Sequence, residues 1–570
     1  MSEKIARIAA IDPVTIEVIR YRLLSIPEQI ETNIVRTAYS PLIYEYKDYA
    51  VGLTDAKGRL ITQGRGGIPL FVANIIGLAV NDGLVLYGAE NIHAGDVIIC
   101  NYSGVLGQHL NNVVMYTPTF ASDGSLFGFM AVVAHWADVG GRTVGSSTPT
   151  DTTDIFQEGI QLRTLKLWNQ GKKVADIYRV IEHNTRFPEM VLGDLEAQLA
   201  GCVQGRALFE EMCASYGAKR LSEAIAIIWS QSEQRARQII RDIPDGAYKA
   251  SAFLDDDGVD EGRRIEIPVT VSVKGETITV DYSEVSAEVK GPFNSGAQGG
   301  GVTAARMALN FLINPEDGCN EGTYRPLDVI LPEGKFLSAG PNAPMAKYSA
   351  PLATVIDVII RALGEALPER ACAGHHGTFG VHTFVGRDPR SGKLFKNLET
   401  AQGGWGATAG YDGAGPFKTF AHGDTLNVPV ELQEALYPLR FEELSLRPDS
   451  GGAGEFRGGL GITKLYRILA PCRLNVGFDR VGCPPWGVNG GKSGVPGRVV
   501  LERPGDEPRT YFKAEILLRP GDLVRIETGG GGGYGFAEHR TRERIESDLM
   551  AGYVTPVGCE RDYTLPRAAE

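Results

Sequence analysis

The chain has 570 residues, 43% hydrophobic and 22% charged, apolar material enough for about two to four separate cores. With 57 Lys and Arg against 69 Asp and Glu, a net charge of -12 and a pI near 5.4, it has no basic excess to hold nucleic acid or an anionic membrane, so the expected partners are small molecules and other subunits. No apolar run approaches the roughly 20 residues of a spanning helix, the opening MSEKIARIAAIDPVT lacks the apolar core of a secretory signal, and the cysteines form no CxxC pair, so a cytoplasmic protein with reduced thiols is expected.

Asp12 and Pro13 read as the N-cap and first turn of a helix whose apolar stripe is Ile16, Ile19, Leu23, Ile26, Ile30 and Ile34, with Pro27 inside it as a kink. From Tyr44 to Ile99 short apolar runs separated by turn signals predict strands, with a helix over Phe71 to Leu86.

Two further runs each end in a histidine. GDVIICNYSGVLGQHLNN places His109 beside Asn111 and Asn112, and AVVAHWADVGG places His135 before Asp138, Gly140 and Gly141. Polar side chains at strand ends are costly to bury unpaired, so such ends usually carry a site. Asp48, inside the apolar YEYKDYAVGL, is the matching carboxylate. Two imidazoles and a carboxylate suit Zn or Mn with a position left open, if the fold unites them; the alternative is histidines hydrogen-bonded at strand ends.

Residues 174 to 242 read as helical, with Leu195 to Tyr216 and Leu221 to Ile240 as the main periodic segments. Alternating strands follow, joined by a turn at Lys274 to Glu276, and Asp255, Asp256 and Asp257 read as a solvated turn rather than a calcium loop. Helices are predicted at Gly301 to Ile313 and Ala353 to Leu367, the second apolar enough to be buried. His375, His376, His422 and Asp424 are second-rank candidates for substrate or subunit contact. From Arg440 onward short strands and glycine clusters dominate; the clusters read as tight turns and close backbone approaches, and none fits a phosphate loop or a dinucleotide fingerprint. The order of elements predicts an α+β, multi-domain protein of mixed helices and antiparallel sheets. The expected divisions are 1–173 (α/β, with the candidate site), 174–245 (helical), 246–440 (α+β) and 441–570 (glycine-rich, mostly β).

Several blocks, in order along the chain, carry a resemblance: DPVTIEVIRYRLLSIPEQIETNIVRTAYSP, GDVIICN with GQHLNN, AHWADVGG with GSS, DIFQEGIQL, IPDGAYKASAFLDDDG, LRPDSGGAGEFRGGLG and TGGGGGYG. Together they resemble the B-type subunit of the hydantoinase/oxoprolinase family, nearest its acetophenone carboxylase-like members. The resemblance implies an A-type partner with an actin-like ATPase fold that binds the ATP, with or without a small accessory subunit, and activation of an amide carbonyl, an enolate or bicarbonate. It also implies Zn or Mn in some relatives, held at positions that here are Asp48, His109 and His135. A fourth ligand, an aspartate in those relatives, falls on Asn112, and Trp136 stands where many relatives have another histidine.

Loss of a carboxylate ligand weakens metal affinity and tilts the expectation toward carboxylation of a ketone such as acetophenone with bicarbonate as co-substrate. ATP-dependent opening of a hydantoin, 5-oxoproline or lactam, and a non-catalytic scaffold, are the alternatives. In the carboxylase reading His109 and His135 supply acid/base chemistry with Asp48 and Asn112, while Asn111, Asp138, Gly140 and Gly141 contact substrate.

Overall fold

The computed structural model describes residues 11–69, 74–146, 149–313, 318–423 and 425–563. Helix α1 (Pro13–Thr37) begins as expected: the Asp12 carboxylate accepts from Thr15 N at 3.0 Å, and the stripe from Ile16 to Ile34 is buried. Of the helix expected over 71–86, the described part is α2 (Ile75–Tyr87).

The first sheet has seven antiparallel strands, β1 (Tyr49–Asp55), β2 (Leu60–Gln63), β3 (Val97–Cys100), β4 (Asn112–Phe120), β5 (Leu126–His135), β6 (Leu165–Asn169) and β7 (Lys172–Lys173), in the order β2-β1-β5-β4-β3-β6-β7. Its central strands β4 and β5 are buried almost throughout because both faces are covered. On one face Gly52 of β1 packs on Ile76 of α2; on the other Met130 of β5 packs on Gly205 of the long helix α3 (Pro188–Tyr216). That double cover explains why these strands read as unbroken apolar runs rather than alternating ones. Helix α4 (Ala218–Arg241) completes the helical stretch.

The second sheet holds Gly246–Leu254, Ile265–Lys274 and Thr277–Asp281 as an antiparallel meander, with Leu327–Ile330 added in parallel. The turn falls at Gly275, as expected. Packed on it, the Ser349–Ala362 helix is buried along almost its whole length. The acidic triplet is not a solvated turn: Asp255 accepts from Val481 N and Gly482 N at 2.8 Å each, and Asp257 is 3% exposed, capping Val259 N, Asp260 N and Gly291 N. These carboxylates bind one loop to another.

The remaining strands form two sheets around a shared core. One pairs Leu394–Glu399, Val381–Arg387, Cys472–Gly477 and Lys513–Leu518; the other pairs Leu439–Leu446, Ile462–Ile468, Leu523–Glu527, Arg498–Glu502 and Arg509–Tyr511. The first of these joins residues on both sides of position 440.

Within that core, Glu399 is fully buried beside Lys464 Nζ (2.6 Å), Tyr466 OH (3.2 Å) and Gln433 Nε2 (2.9 Å). Burial alone would push its carboxyl up; the Lys464 ammonium and His382 overcome that and hold it well below the usual range. Removing the cation with Lys464→Met is expected to cost about 3–5 kcal/mol in urea unfolding at pH 7, since it strands a buried charge. A depressed carboxyl adds stability above its unfolded value, so the deficit should shrink as pH falls through the carboxylate range.

The glycine clusters are neither strands nor, mostly, turns. Residues 529–533 run extended through a stack of other extended segments, with Gly404 N donating to Gly529 O (3.0 Å), Gly531 N to Gly459 O (2.9 Å), Gly532 N to Gly374 O (2.7 Å) and Gly452 N to Gly531 O (2.8 Å). None of these glycines has a left-handed φ, so close approach rather than turn geometry selects the residue: a Cβ on Gly531 would lie 1.9 Å from Trp405 O.

Candidate active site

Three strand ends deliver the site. Strand β5 ends at His135, directly opposite Asn112, the first residue of β4; the start of β1 lies on the other side of β5, so that His135 N donates to the Asp48 carbonyl at 3.1 Å. His109 enters from the turn before β4, its ring 4.9 Å from that of His135 in a T-shaped pair and 4.8 Å from that of Tyr348. Asp48, His109, Asn112, His135, Lys347 and Tyr348 line one small cavity of about 60 Å³ that also reaches His422.

Asn112 is the hub. His109 Nε2 lies 2.8 Å from its Oδ1, and its amide nitrogen lies 2.8 Å from Gln108 Oε1 and 2.9 Å from Tyr348 OH, while His109 Nδ1 lies 3.3 Å from the Ala346 carbonyl. A neutral imidazole satisfies both of its contacts when the Asn112 and Gln108 amides are turned over together. Asn112 then donates to Nε2, Gln108 donates to Asn112, and Nδ1–H donates to Ala346. In either orientation Nε2 of His109 is committed to Asn112.

Burial drives His109 down to about 4 and His135 well below its ordinary value, and nearby lysines push both further. Both rings are neutral at physiological pH and poorly placed to store a proton. Burial pushes Asp48 the other way, up to about 7, against the opposing pull of Lys396 and Lys418, and among the described residues its Oδ1 makes no hydrogen bond. Asp48, rather than either histidine, is therefore the group matched to proton transfer near neutrality.

A raised carboxyl costs stability as it ionises, so Asp48→Asn is expected to stabilise the fold by about 1–2 kcal/mol at pH 8. The gain should vanish below pH about 4, where both states are protonated. Turnover should be lost, and paired denaturation and activity measurements check both.

The remaining sequence candidates serve the frame. Asn111 Nδ2 donates to Trp136 O at 2.7 Å, tying the site loops together. Asp138 is buried and accepts from Gly145 N (2.8 Å), Arg186 N (2.8 Å) and Arg186 Nη1 (3.0 Å). Gly140 and Gly141 turn with φ near +88° and +83°, and their carbonyls accept from Arg186. None of these four lines the cavity. His375 is buried 3.2 Å from Asp357, itself beside Arg480, and His376 is buried next to it; Asp424 lies outside the described residues.

Sequence reasoning missed Lys347, Tyr348 and Glu158. A lysine inside PNAPMAKYSAP, a run of small residues leading into a buried helix, was the available signal.

A Zn or Mn ion on Asp48, His109 and His135 does not fit these side chains. His109 Nε2 is taken by Asn112, and Lys347 and Lys396 press positive charge on both imidazoles. Among the described residues, no three His, Cys, Asp or Glu side chains converge to hold a metal.

The model of the family described as "Hydantoinase B/oxoprolinase" matches residues 12–537. The chain belongs to this family. Relatives include the beta chain of the caprolactamase of Pseudomonas jessenii, 30% identical over 567 residues and covering 97% of this chain and 96% of the relative. The B-type component of a putative D-/L-hydantoinase from a Pseudomonas species is 28% identical over 559 residues, covering 96% and 93%. The crystal structure of the P. jessenii ATP-dependent caprolactamase superposes with a TM-score of 0.91 at 28% identity, covering 98% of each chain. A nucleotide-free acetone carboxylase shares the fold at 18% identity, with a TM-score of 0.88 over 98% of this chain and 80% of that one. By its family this chain is an enzyme chain of the hydantoinase B/oxoprolinase type. No helix among the described residues is long and apolar enough to cross a membrane.

Proposed function

We propose that this chain is the substrate-handling subunit of an ATP-dependent enzyme that carboxylates a ketone such as acetophenone, with bicarbonate as co-substrate. The observation that carries this reading is Asn112. It is bound to His109, Gln108 and Tyr348 at the position where a carboxylate ligand is expected from the family resemblance, so the site is poorly suited to a metal-bound water for hydrolysis. It is a small, buried cavity in which a reactive carboxyl donor is protected from water.

ATP is assigned to a separate A-type chain, in keeping with relatives named as subunits and with a sequence that has no phosphate loop. That partner activates the ketone as an enol phosphate, or bicarbonate as carboxyphosphate. In this subunit Asp48 Oδ1 takes up or returns the proton, and the neutral imidazole of His135 donates to the oxyanion that develops as the new carbon–carbon bond forms, while His109, held between Asn112 and Ala346, packs against it.

Hydrolysis of a cyclic amide is the second reading, favoured by the 28–30% identity to hydantoinase and caprolactamase chains. ATP consumption by the purified complex, measured with panels of ketones and of cyclic amides, separates the two. Ketone- and bicarbonate-dependent ATP consumption is expected; consumption driven by a lactam or hydantoin without bicarbonate replaces this reading with the second.

A further inference from the structure

Among the described residues Lys347 is the one lysine or arginine that lines the cavity, and it is 5% exposed. Among those residues its Nζ has neither a hydrogen bond nor an ion pair, unlike Lys396, whose Nζ donates to the Ala137 and Gly145 carbonyls at 2.7 and 3.1 Å. An ammonium on so enclosed a side chain with no protein acceptor is costly, and so is the Asp48 Oδ1 in the same cavity, unpartnered among the described residues.

The backbone that carries Lys347 is held deliberately. Glu158, from the DIFQEGIQL block, is buried with Oε1 accepting from Met345 N (2.7 Å) and Ala346 N (2.8 Å), Lys347 N donates to Pro292 O (2.9 Å), and the flanking Ala346 and Tyr348 both touch His109. Glu158 is thus a positioning residue for this segment. A cavity of about 60 Å³ has room for roughly four water-sized groups. That matches a carboxylate or bicarbonate, and the ring of an aromatic ketone has to lie outside it, with only its reacting end at the cavity.

We propose that Lys347 is the anion-holding residue of the cavity: its ammonium binds an oxygen of a carboxylate or bicarbonate beside His109 and His135 and supplies the positive charge that a metal ion would otherwise bring. The ligand completes the ion pair Lys347 lacks. Burial lowers the ammonium to about 7, so an anion that pairs with it also keeps it charged. The inference takes the site from the proposed function but requires neither ketone carboxylation nor amide hydrolysis, because the binding test below contains no ketone, no cyclic amide and no ATP.

The test uses the purified complex with ¹³C-bicarbonate and, separately, acetate, each followed by NMR line broadening. The wild type should bind one or both; bicarbonate alone identifies the free one-carbon anion as the ligand, and acetate as well identifies carboxylates in general. Lys347→Met should weaken binding at least tenfold and Lys347→Arg should restore part of it, whereas a Lys347→Met complex that binds as tightly as wild type overturns the proposal. Should that variant fail to assemble, a wild-type crystal soaked in bicarbonate decides: an oxygen within about 3 Å of Nζ is expected, and an anion bound elsewhere, or none, overturns it. An active enzyme in which Lys347→Met changes neither binding nor KM refutes this inference alone and leaves the proposed function standing.

Discussion

Alanine at His135 should lower kcat of the ATP-dependent reaction by about 10²–10³-fold, the usual loss when a donor to a developing oxyanion is removed. The complex should remain assembled on size-exclusion chromatography. The magnitude follows from charge state. Burial holds both rings neutral, His109 at about 4 and His135 well below its ordinary value, so His135 works as a fixed dipole and not as a proton store. Glutamine at His135 keeps an N–H donor and should retain more activity than alanine. The pH profile carries the complementary signature: the group that must ionise is Asp48, raised to about 7, so kcat/KM should fall as pH drops below about 7 with no separate inflection from histidine. An acid limb near the ordinary histidine value that disappears in His135→Ala would instead make the imidazole the base.

The largest stability effect is expected far from the cavity, at Gly531. A Cβ there meets Trp405 O at 1.9 Å and its carbonyl carbon at 2.2 Å, both main-chain atoms held by the hydrogen-bonded stack. Neither side can yield without breaking those bonds, so Gly531→Ala should cost at least about 4 kcal/mol and leave little soluble protein. Gly505 is the control. It has φ +87° and open space around its Cβ position, so alanine there should cost only about 1 kcal/mol of backbone strain. Equal losses at the two positions would show that glycine serves conformational freedom in both.

That contrast marks where sequence stops being informative. Helical and strand periodicity located α1, the helical stretch through α4 and the hairpin at Gly275, because each buries a face whose spacing is written locally. The stack around 529–533 has no period and no local hydrogen-bond pattern; its glycines are chosen by partner segments far away along the chain. The candidate site divides in the same way. His109, His135, Asp48 and Asn112 stand out as polar groups at the ends of apolar runs, and β1, β4 and β5 bring those ends together. Asp138, Asn111 and the Gly140–Gly141 turn looked equally functional, but only the fold reveals that Arg186 and Trp136 claim their polar atoms. Lys347 and Glu158 reach the site from other parts of the chain, so no local spacing connects them to it.

The fate of ¹⁴C-bicarbonate in the purified complex, with ATP and, in parallel, acetophenone or a lactam or hydantoin, tests the central claim most directly, with the His135→Ala complex run beside the wild type. Label fixed into an acid-stable carboxylic acid by the wild type, and reduced at least about 10²-fold by the substitution, is the expected result. Ring opening of a lactam or hydantoin with no label retained would contradict it, and would place the same cavity in the service of amide hydrolysis.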